Sequence, residues 1–418
     1  MSTISNTKER KKLFSGSSIK QYSMLIALAV IIALFYWLTG GTLGAPMNVA
    51  NLIAQNGYVV ILAIGMLMCI LSGGNIDLSV GSVIGFVGAC AGVFIIQNKM
   101  NIYLGAGICL LIGLAIGAWQ GFWIAYVRIP AFIVTLSGML VFRGLTLSIL
   151  GGLTLSPFPQ SFLNYSTGFI PDFIGPALGV KNGTSLLAGI LIAAVFIVSQ
   201  VISYEGRRRK GYDVGSLVAL ISRLVIISAV LIALFAILAQ YRGIPTVLVL
   251  LGVILLVYSF ITTNTVMGRH LYALGGNEKA SRLSGVKTNR MLFLVYANMG
   301  LLAAVAGLVF SARLNSASPT AGQSLEMDAI ASCYIGGASA YGGIGTVSGT
   351  LIGALIMGIL NNGMSILGVR TSDQMAIKGL VLLAAVAFDV ISKKQTALAD
   401  FPNPFKRSAK KQPPTIDR

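Results

Sequence analysis

Residues 54–97 read AQNGYVVILAIGMLMCILSGGNIDLSVGSVIGFVGACAGVFIIQ. Two apolar runs, at 54–71 and 81–97, flank a short polar stretch of glycine, serine, asparagine and one aspartate. An apolar run of about 20 residues spans the hydrocarbon core of a bilayer as a helix. The stretch therefore predicts two membrane helices joined by a polar break.

The composition extends this prediction to the whole chain. Of the 418 residues, 56% are hydrophobic and only 10% are charged, whereas a soluble domain carries about 25% charged residues. We therefore exclude a soluble domain and predict an all-α, polytopic transmembrane helical bundle. We expect the tenth predicted span, which is short and glycine-rich, to be broken or re-entrant. The predicted spans, about twelve, are 22–39, 54–71, 81–97, 102–126, 131–150, 184–203, 217–240, 244–262, 291–313, 328–340, 346–367 and 374–392.

The net charge of +18 has two explanations, which are nucleic-acid binding and the excess of Lys and Arg on the cytoplasmic side of membrane proteins. If the spans alternate from a cytoplasmic N-terminus, 22 of the 30 Lys and Arg fall inside, 5 outside and 3 within spans. This asymmetry favours the membrane explanation, so no nucleic-acid partner is expected. It predicts cytoplasmic tails at 1–21 and 393–418 around a permease domain at 22–392, with the lipid bilayer as its surroundings.

Two stretches of the chain resemble each other. GAWQG at 117–121 and GILNNG at 358–363 are each followed by a Val-Arg pair and then by a glycine, at an offset of about 241 residues. The predicted topology places the two Val-Arg pairs on opposite sides of the membrane, which would make an inverted repeat of the kind that builds transport pathways. Chance coincidence of glycines is the alternative.

The polar break at 72–82 holds a single carboxylate, Asp77, with Asn75 and Ser79 beside it. An ionised aspartate in hydrocarbon costs about 2.5–3.5 kcal/mol, so this side chain is expected to face protein or water. One interpretation is a broken helix that lines the transport pathway. The other is a helix N-cap, in which Asp77 or Ser79 accepts hydrogen bonds from backbone N–H groups.

A second segment of interest is the long inside loop at about 263–290. Asn277 is placed to cap a short helix over 278–284, which Gly285 ends. Such a helix is a candidate docking element for a soluble partner. A solvated connection between two spans is the alternative.

The sequence argues against an enzyme. It contains no phosphate-binding GxxxxGK[ST] loop and no nucleophile-base set. The four cysteines have no metal-binding spacing, so neither a metal nor a cofactor is expected in this chain. The energy for transport must then come from a partner or from an ion gradient. An ion-coupled transporter of a small polar solute is the alternative, with Asp77, Asp328 and Asp389 as the carboxylates nearest to a path.

Three motifs resemble bacterial ABC sugar permeases of the ribose/xylose/galactose class. They are SGGNIDLSVGS at 72–82, GRHLYALGGNEKASRLSGV at 268–286 and YIGGASAYGGIGTVSG at 334–349, in the family's order. An extra pair of spans around 184–243 makes the layout more similar to xylose or multiple-monosaccharide permeases. Transport of a monosaccharide across the bacterial inner membrane is what the resemblance implies.

The resemblance also implies partners and site residues. The partners are a cytoplasmic ABC ATPase that carries the ATP, an extracytoplasmic sugar-binding protein and a second permease copy. Sugar sites use polar groups and aromatic faces, so Trp119, Trp123, Asn361 and Asn362 join the pathway candidates, with packing or interfacial roles as the alternative. The ATPase-coupling candidates are Gly268, Arg269, Tyr272, Gly276, Asn277, Glu278, Arg282, Leu283 and Gly285.

Overall fold

The computed structural model describes residues 16–212 and 216–399. Over these ranges the chain is α-helical, and its β pairing is limited to two isolated bridges, Leu155 with Ala317 and Phe169 with Pro245. The all-α bundle predicted from the sequence is confirmed. The helices are α1 Gly16–Leu38, α2 Pro46–Leu71, α3 Val80–Ala91, α4 Ile102–Ala125, α5 Ala131–Leu150, α6 Gln160–Thr167, α7 Gly175–Leu178, α8 Gly183–Arg209, α9 Leu217–Ala239, α10 Thr246–Asn264, α11 Val266–Gly276, α12 Glu278–Leu283, α13 Thr288–Leu314, α14 Leu325–Ile335, α15 Val347–Ile366 and α16 Thr371–Ala399.

Ten helices in the described ranges are long and apolar enough to cross a membrane, one of which is α3 together with the π-helical turn Gly92–Gln97 that continues it. Helix α1 adds the shorter apolar helix Met24–Leu38. The short, glycine-rich segment predicted at 328–340 is helical only as far as Ile335. Its place is taken by α14, whose 11 residues reach only about 16 Å, against a hydrocarbon core of about 30 Å. Non-helical chain at 315–324 precedes α14, so the expectation of a broken segment holds.

The bundle has two ends, which we call the basic face and the opposite face. The basic face comprises residues 72–76, 126–130, 265–290 and 336–346, joined for example by the Tyr272 Oη hydrogen bond to the Gly345 carbonyl at 2.8 Å. The opposite face comprises residues 39–51, 151–182, 240–246 and 313–318, where the Phe158 N–H donates to Asn315 Oδ1 at 2.9 Å. Residues 315–335 therefore connect the opposite face to the basic face.

The core lies around α2 and α13. Every residue from 59 to 71 is buried, and α13 packs against α2, α3 and α4. A Cβ added to Gly117 would stand 2.3 Å from the Tyr296 carbonyl oxygen, and one added to Gly300 would stand 2.2 Å from the Gly113 carbonyl oxygen. Glycine at these positions lets α4 and α13 approach backbone to backbone, as small-residue patterns do in membrane bundles.

The packing follows the internal repeat seen in the sequence. Helices α2 to α5 correspond in order to α13 to α16: α13 packs against α3 and α4, and α2 packs in the same way against α14 and α15. Helix α3 packs on α5 as the shorter α14 packs on α16. The equivalent helices run in opposite directions between the two faces, which is the arrangement of an inverted repeat.

Helices α8 and α9 form the extra hairpin and pack chiefly on each other. Asp172 fixes its start, since Oδ1 accepts from Thr184 N at 3.0 Å, Thr184 Oγ1 at 2.8 Å and Gly175 N at 2.9 Å. The hydrogen bonds from Thr184 and Gly175 lower the pKa of this carboxyl to about 2. The hairpin is thus anchored at the opposite face by an ionised aspartate.

The helices extend beyond the predicted permease domain, 22–392, at both ends. Helix α1 begins at Gly16 and α16 continues to Ala399. The rest of the two predicted tails, 1–15 and 400–418, lies outside the described residues.

Candidate functional site

Asp77 lies in a buried chain of hydrogen bonds at the break before α3. Its Oδ1 accepts from Ser79 N at 2.8 Å and from Ser79 Oγ at 2.6 Å, and Ser79 Oγ accepts from Gln120 Nε2 on α4 at 2.7 Å. All three side chains are 2% exposed or less. Helix α3 begins at the N-cap Ser79 without a side-chain cap hydrogen bond, so the N-cap interpretation is not confirmed. Asp77 accepts from the N–H of Ser79 itself and, through the Ser79 hydroxyl, ties the break to α4. A role in lining the pathway stays a prediction.

The break packs against the second glycine-rich motif. The Gly343 N–H donates to the Leu71 carbonyl at 3.2 Å, where α2 ends. A Cβ on Gly275 of α11 would lie 1.8 Å from Leu71 O and 2.4 Å from Gly343 N. The three motifs that carry the family resemblance therefore meet at the basic face, and only glycine fits where they touch.

A second buried polar cluster surrounds Asp328 on α14. Lys378 Nζ of α16 lies 2.9 Å from Asp328 Oδ1, and Asn361 Nδ2 of α15 donates to Asp328 Oδ2 at 3.2 Å. Asn361 occupies the place in its repeat that Gln120 occupies in the first. In the first repeat, the Gln120 amide on α4 donates to Ser79, just before α3. In the second, the Asn361 amide on α15 donates to Asp328 on α14. A buried aspartate therefore belongs to each hydrogen-bonded group.

A third contact holds the non-helical segment 315–324. Arg143 of α5 donates through Nη1 to the Ala321 carbonyl at 2.7 Å and to the Pro319 carbonyl at 3.3 Å. These carbonyls belong to irregular backbone within the bundle, where unpaired polar groups are costly. Arg143 therefore stabilises the chain that leads into α14.

The remaining pathway candidates are spread over the bundle. Asn75 donates to Ser72 Oγ at 3.2 Å near the basic face, while Asn362 exchanges hydrogen bonds with Asn48 near the opposite face. Trp119 is 43% exposed and packs edge-on against Phe142. Trp123 packs edge-on against Phe122 beside the core. The structure therefore does not bring the candidates into one group.

Sequence reasoning missed Gln120 and Lys378. Gln120 stands inside the repeated GAWQG motif, and Lys378 is one of only three basic residues within predicted spans. A buried polar residue on an apolar span signals a functional or structural partner. That signal was present for both residues, but their partners lie 41 and 50 positions away in sequence.

The loop after α10 folds into two short helices on the basic face. Thr265 Oγ1 accepts from Gly268 N at the start of α11, and Asn277 Oδ1 accepts from Ala280 N at 3.0 Å at the start of α12. The Asn277 cap was predicted, and Gly285 follows α12 at φ 87°. Helix α11 was not predicted, although Thr265 is a standard N-cap residue.

The two helices present different surfaces. Gly268 and Tyr272 pack toward the bundle, whereas Arg269, Gly276, Asn277 and Glu278 are exposed. Leu283, at the end of α12, is 90% exposed, and Arg282 beside it is also exposed. The capped helix α12 and its basic neighbours are thus exposed on the basic face, where a role as a docking element stays a prediction.

A polytopic helical bundle with an inverted repeat, breaks before α3 and α14 and buried carboxylates nearby has the architecture of a membrane transport subunit. The chain belongs to the family described as branched-chain amino acid transport system / permease component, whose model matches residues 48–386. It is thus a multi-pass permease subunit.

Curated relatives extend over almost the whole chain. The xylose transport system permease protein of Escherichia coli K12 is 40% identical over 396 residues, which cover 92% of this chain and 95% of the relative. The xylose permease of Haemophilus influenzae is 37% identical over 90% of this chain and 98% of the relative. The ribose import permease protein of Escherichia coli K12 is 35% identical over 92% of this chain and 98% of the relative.

These matches confirm the resemblance to sugar permeases of ABC importers, and nothing in them favours the ion-coupled alternative. No solved structure matches the chain.

Proposed function

We propose that this chain is the permease subunit that carries a monosaccharide, xylose or a similar sugar, through an ATP-driven importer in a bacterial inner membrane. The observation that carries the proposal is the similarity to sugar permeases over 90% or more of the chain, and the capped, exposed helix α12 is the candidate contact for the ATPase. The sugar class comes from the relatives, of which two transport xylose and one ribose by name.

The basic face is assigned to the cytoplasm, with both termini on that side. The charge asymmetry supports this orientation, because Lys and Arg are retained on the cytoplasmic side. A separate ATPase, which supplies the bound ATP, then docks on α12, and an extracytoplasmic sugar-binding protein delivers its cargo to the opposite face.

A second copy of this chain completes the pathway. The resemblance to ABC importer permeases, which implies a pair of permease subunits, supports this part of the proposal. The pathway candidates Asn75, Asp77 and Ser79 are assigned to the region where the break before α3 moves against its neighbours.

Uptake by cells that express the permease with its ATPase and binding protein tests the function. We expect accumulation of labelled xylose or a related monosaccharide, and loss of accumulation when the ATPase is replaced by a hydrolysis-defective variant. Uptake that survives this replacement and collapses with an ionophore would restore the ion-coupled alternative. Uptake of leucine but of no sugar would move the substrate to the amino acids.

A further inference from the structure

A cavity of about 290 Å³ lies on the basic face, between the end of α4, the end of α12 and the start of α13. Its volume is just below the range of about 300–1,000 Å³ that is usual for sites that enclose a whole small molecule. The cavity therefore suits a small group at the end of a larger ligand. Its polar lining includes Tyr126, Arg282, Lys287, Asn289 and Arg290.

Three of the lining side chains are basic and carry no compensating charge. Arg282, Lys287 and Arg290 are exposed, and their side chains form neither a salt bridge nor a hydrogen bond with any residue that the structure describes. Glu278, the acidic residue at the start of α12, is already paired with Arg128 at 2.6 Å. The cavity thus concentrates positive charge that a bound anion would offset, through charge-assisted hydrogen bonds from the two guanidinium groups and the ammonium group.

The cavity lies at the depth of the lipid headgroups. The span Ile102–Ala125 ends one residue before Tyr126, and the span Thr288–Leu314 begins within the cavity wall. These spans have 24 and 27 residues, which is enough to cross the hydrocarbon core, so groups at their ends stand at the polar boundary of the bilayer. The three basic side chains are therefore within the layer that holds lipid phosphates.

An aromatic stripe on α4 connects the lipid-facing surface with the cavity. Trp119, Phe122 and Tyr126 are all exposed on this helix, and the ring centroids of Phe122 and Tyr126 are 5.9 Å apart. Aromatic residues at the end of a span lie at the membrane–water interface. Tyr126 also packs against Phe293 of α13 at 5.9 Å. It thus belongs both to the stripe that contacts lipid and to the cavity wall.

A phospholipid fits this combination better than a soluble anion. A soluble anion would use the three charges alone, whereas a lipid also places its acyl chains along the aromatic stripe. Basic pockets between spans are known sites for anionic lipid headgroups. The exposed Leu283 does not line the cavity, so α12 keeps a separate surface for a protein partner.

We propose that this cavity binds the phosphate headgroup of an anionic phospholipid. Arg282, Lys287 and Arg290 hold the phosphate, and Tyr126 marks the boundary with the acyl chains. The site goes beyond the proposed transport function, because it does not depend on which solute crosses the membrane. The bound lipid joins the end of α12 to α4 and α13 at the membrane surface.

The melting temperature of the purified full-length permease in maltoside detergent, titrated with dioctanoyl phosphatidylglycerol, tests the site. A ligand that binds the folded state raises the melting temperature as its concentration rises, and we expect a saturable increase. Each of Arg282→Gln, Lys287→Gln and Arg290→Gln should raise the half-maximal lipid concentration about fivefold, and the triple variant about a hundredfold. Without lipid, the variants should melt like the unaltered protein, because the three side chains are exposed and unpaired within the described chain.

A second triple variant is the matched control. Arg207→Gln, Lys210→Gln and Lys279→Gln together remove the same charge from exposed residues that do not line the cavity. This control should titrate like the unaltered protein. An equal shift in both triple variants would show general attraction between charges and would overturn the site.

Two further ligands separate the possible sources of the phosphate. Dioctanoyl phosphatidylcholine has the same chains but a neutral headgroup, and inorganic phosphate has no chains, so neither should reproduce the increase. An equal increase with phosphatidylcholine would assign the effect to the acyl chains, and an equal increase with inorganic phosphate would make the cavity a site for a soluble anion. Either result would overturn the proposal.

Co-purification of the ATPase separates a lipid site from a protein contact. Loss of the ATPase from the cavity triple variant, with an unaltered titration by phosphatidylglycerol, would make these residues a protein contact and overturn the proposal. Sugar uptake by the unaltered transporter is measured separately. Failure of the lipid titration would therefore leave the transport function standing, and absence of sugar uptake would leave the lipid site standing.

Discussion

Arg128 Nη1 lies 2.6 Å from Glu278 Oε1 and so joins the turn after α4 to the first residue of α12. The Arg128 Nη2 atom also donates to Asn289 at the start of α13. Arg128 has φ 67°, a left-handed conformation that is unfavourable for a residue with a side chain. One strained residue on the basic face therefore links α4, α12 and α13.

The first prediction concerns this link. Both side chains of the pair are about 40% exposed, at 39% and 44%, and an exposed pair stabilises a fold by about 0–1 kcal/mol. We expect Arg128→Ala to leave the melting temperature nearly unchanged but to reduce sugar uptake per ATP hydrolysed. Uptake and ATPase activity in proteoliposomes measure the ratio.

Arg128→Gly is the matched control, because glycine adopts φ 67° without strain. The two variants should lose coupling alike if the side chain transmits movement. Recovery of coupling in Arg128→Gly alone would mean that coupling requires the left-handed backbone at residue 128, which the ion pair holds in the unaltered protein, and not the side-chain link itself. The exchange Arg128→Glu with Glu278→Arg should restore part of the coupling.

The second prediction concerns the buried chain that starts at Asp77. Asp77→Ala leaves the Ser79 N–H and hydroxyl without their acceptor in a buried site, at a cost of about 1–3 kcal/mol. We expect the variant to insert into the membrane but to transport poorly, as determined by its amount in membranes and its uptake rate.

Ser82→Ala is the control, since the buried Ser82 hydroxyl has no partner in the described chain and its removal should leave transport nearly unchanged. Normal transport by Asp77→Ala would reduce Asp77 to a dispensable cap.

The extent of what the sequence could predict follows from the physics of the bilayer. Apolar runs predict spans because every backbone group within hydrocarbon must be paired inside a helix, and Asn277 predicts its helix because a cap acts within three residues. The Gln120–Ser79 and Asn361–Asp328 hydrogen bonds join residues 41 and 33 positions apart. Such pairs depend on how helices pack, which a single sequence does not encode locally. The length of α14 was missed for the same reason, since 315–324 crosses part of the bundle as non-helical chain held by Arg143.

The third prediction concerns the ion pair of Lys378 with Asp328, whose side chains are 17% and 4% exposed. Removing one partner of a buried pair strands the other charge, at a cost of about 3–5 kcal/mol. We expect Lys378→Met to lower the melting temperature of the purified permease strongly. The double variant Lys378→Met with Asp328→Asn, which leaves no charge, should regain most of the loss. Equal melting temperatures for single and double variants would show that the pair contributes little as a pair.

The fourth prediction is the orientation of the basic face. Because the charge asymmetry assigns this face to the cytoplasm, Thr3→Cys, Thr415→Cys and Ser284→Cys should resist an impermeant thiol reagent in intact cells. Leu153 lies on the opposite face, and its side chain is 70% exposed. Leu153→Cys should therefore react with the reagent. Labelling of the first three and protection of the last would reverse the orientation, and labelling of only one terminus would refute an even number of crossings.

The fifth prediction identifies the docking surface for the ATPase. The chain has no phosphate-binding loop, so hydrolysis must take place on a partner that reaches the bundle through a rigid, exposed element. Helix α12 meets that requirement, because Asn277 caps it, Glu278 ties it to Arg128, and Leu283 projects 90% exposed. Leu283→Asp would place an unpaired charge within the contact, at a cost of several kcal/mol, and should abolish co-purification of the ATPase while the permease still inserts.

Leu153→Asp makes the same exchange on the opposite face and should leave the complex intact. Full uptake and intact co-purification in Leu283→Asp would remove α12 from the coupling mechanism, whereas loss in both variants would point to a general defect of folding.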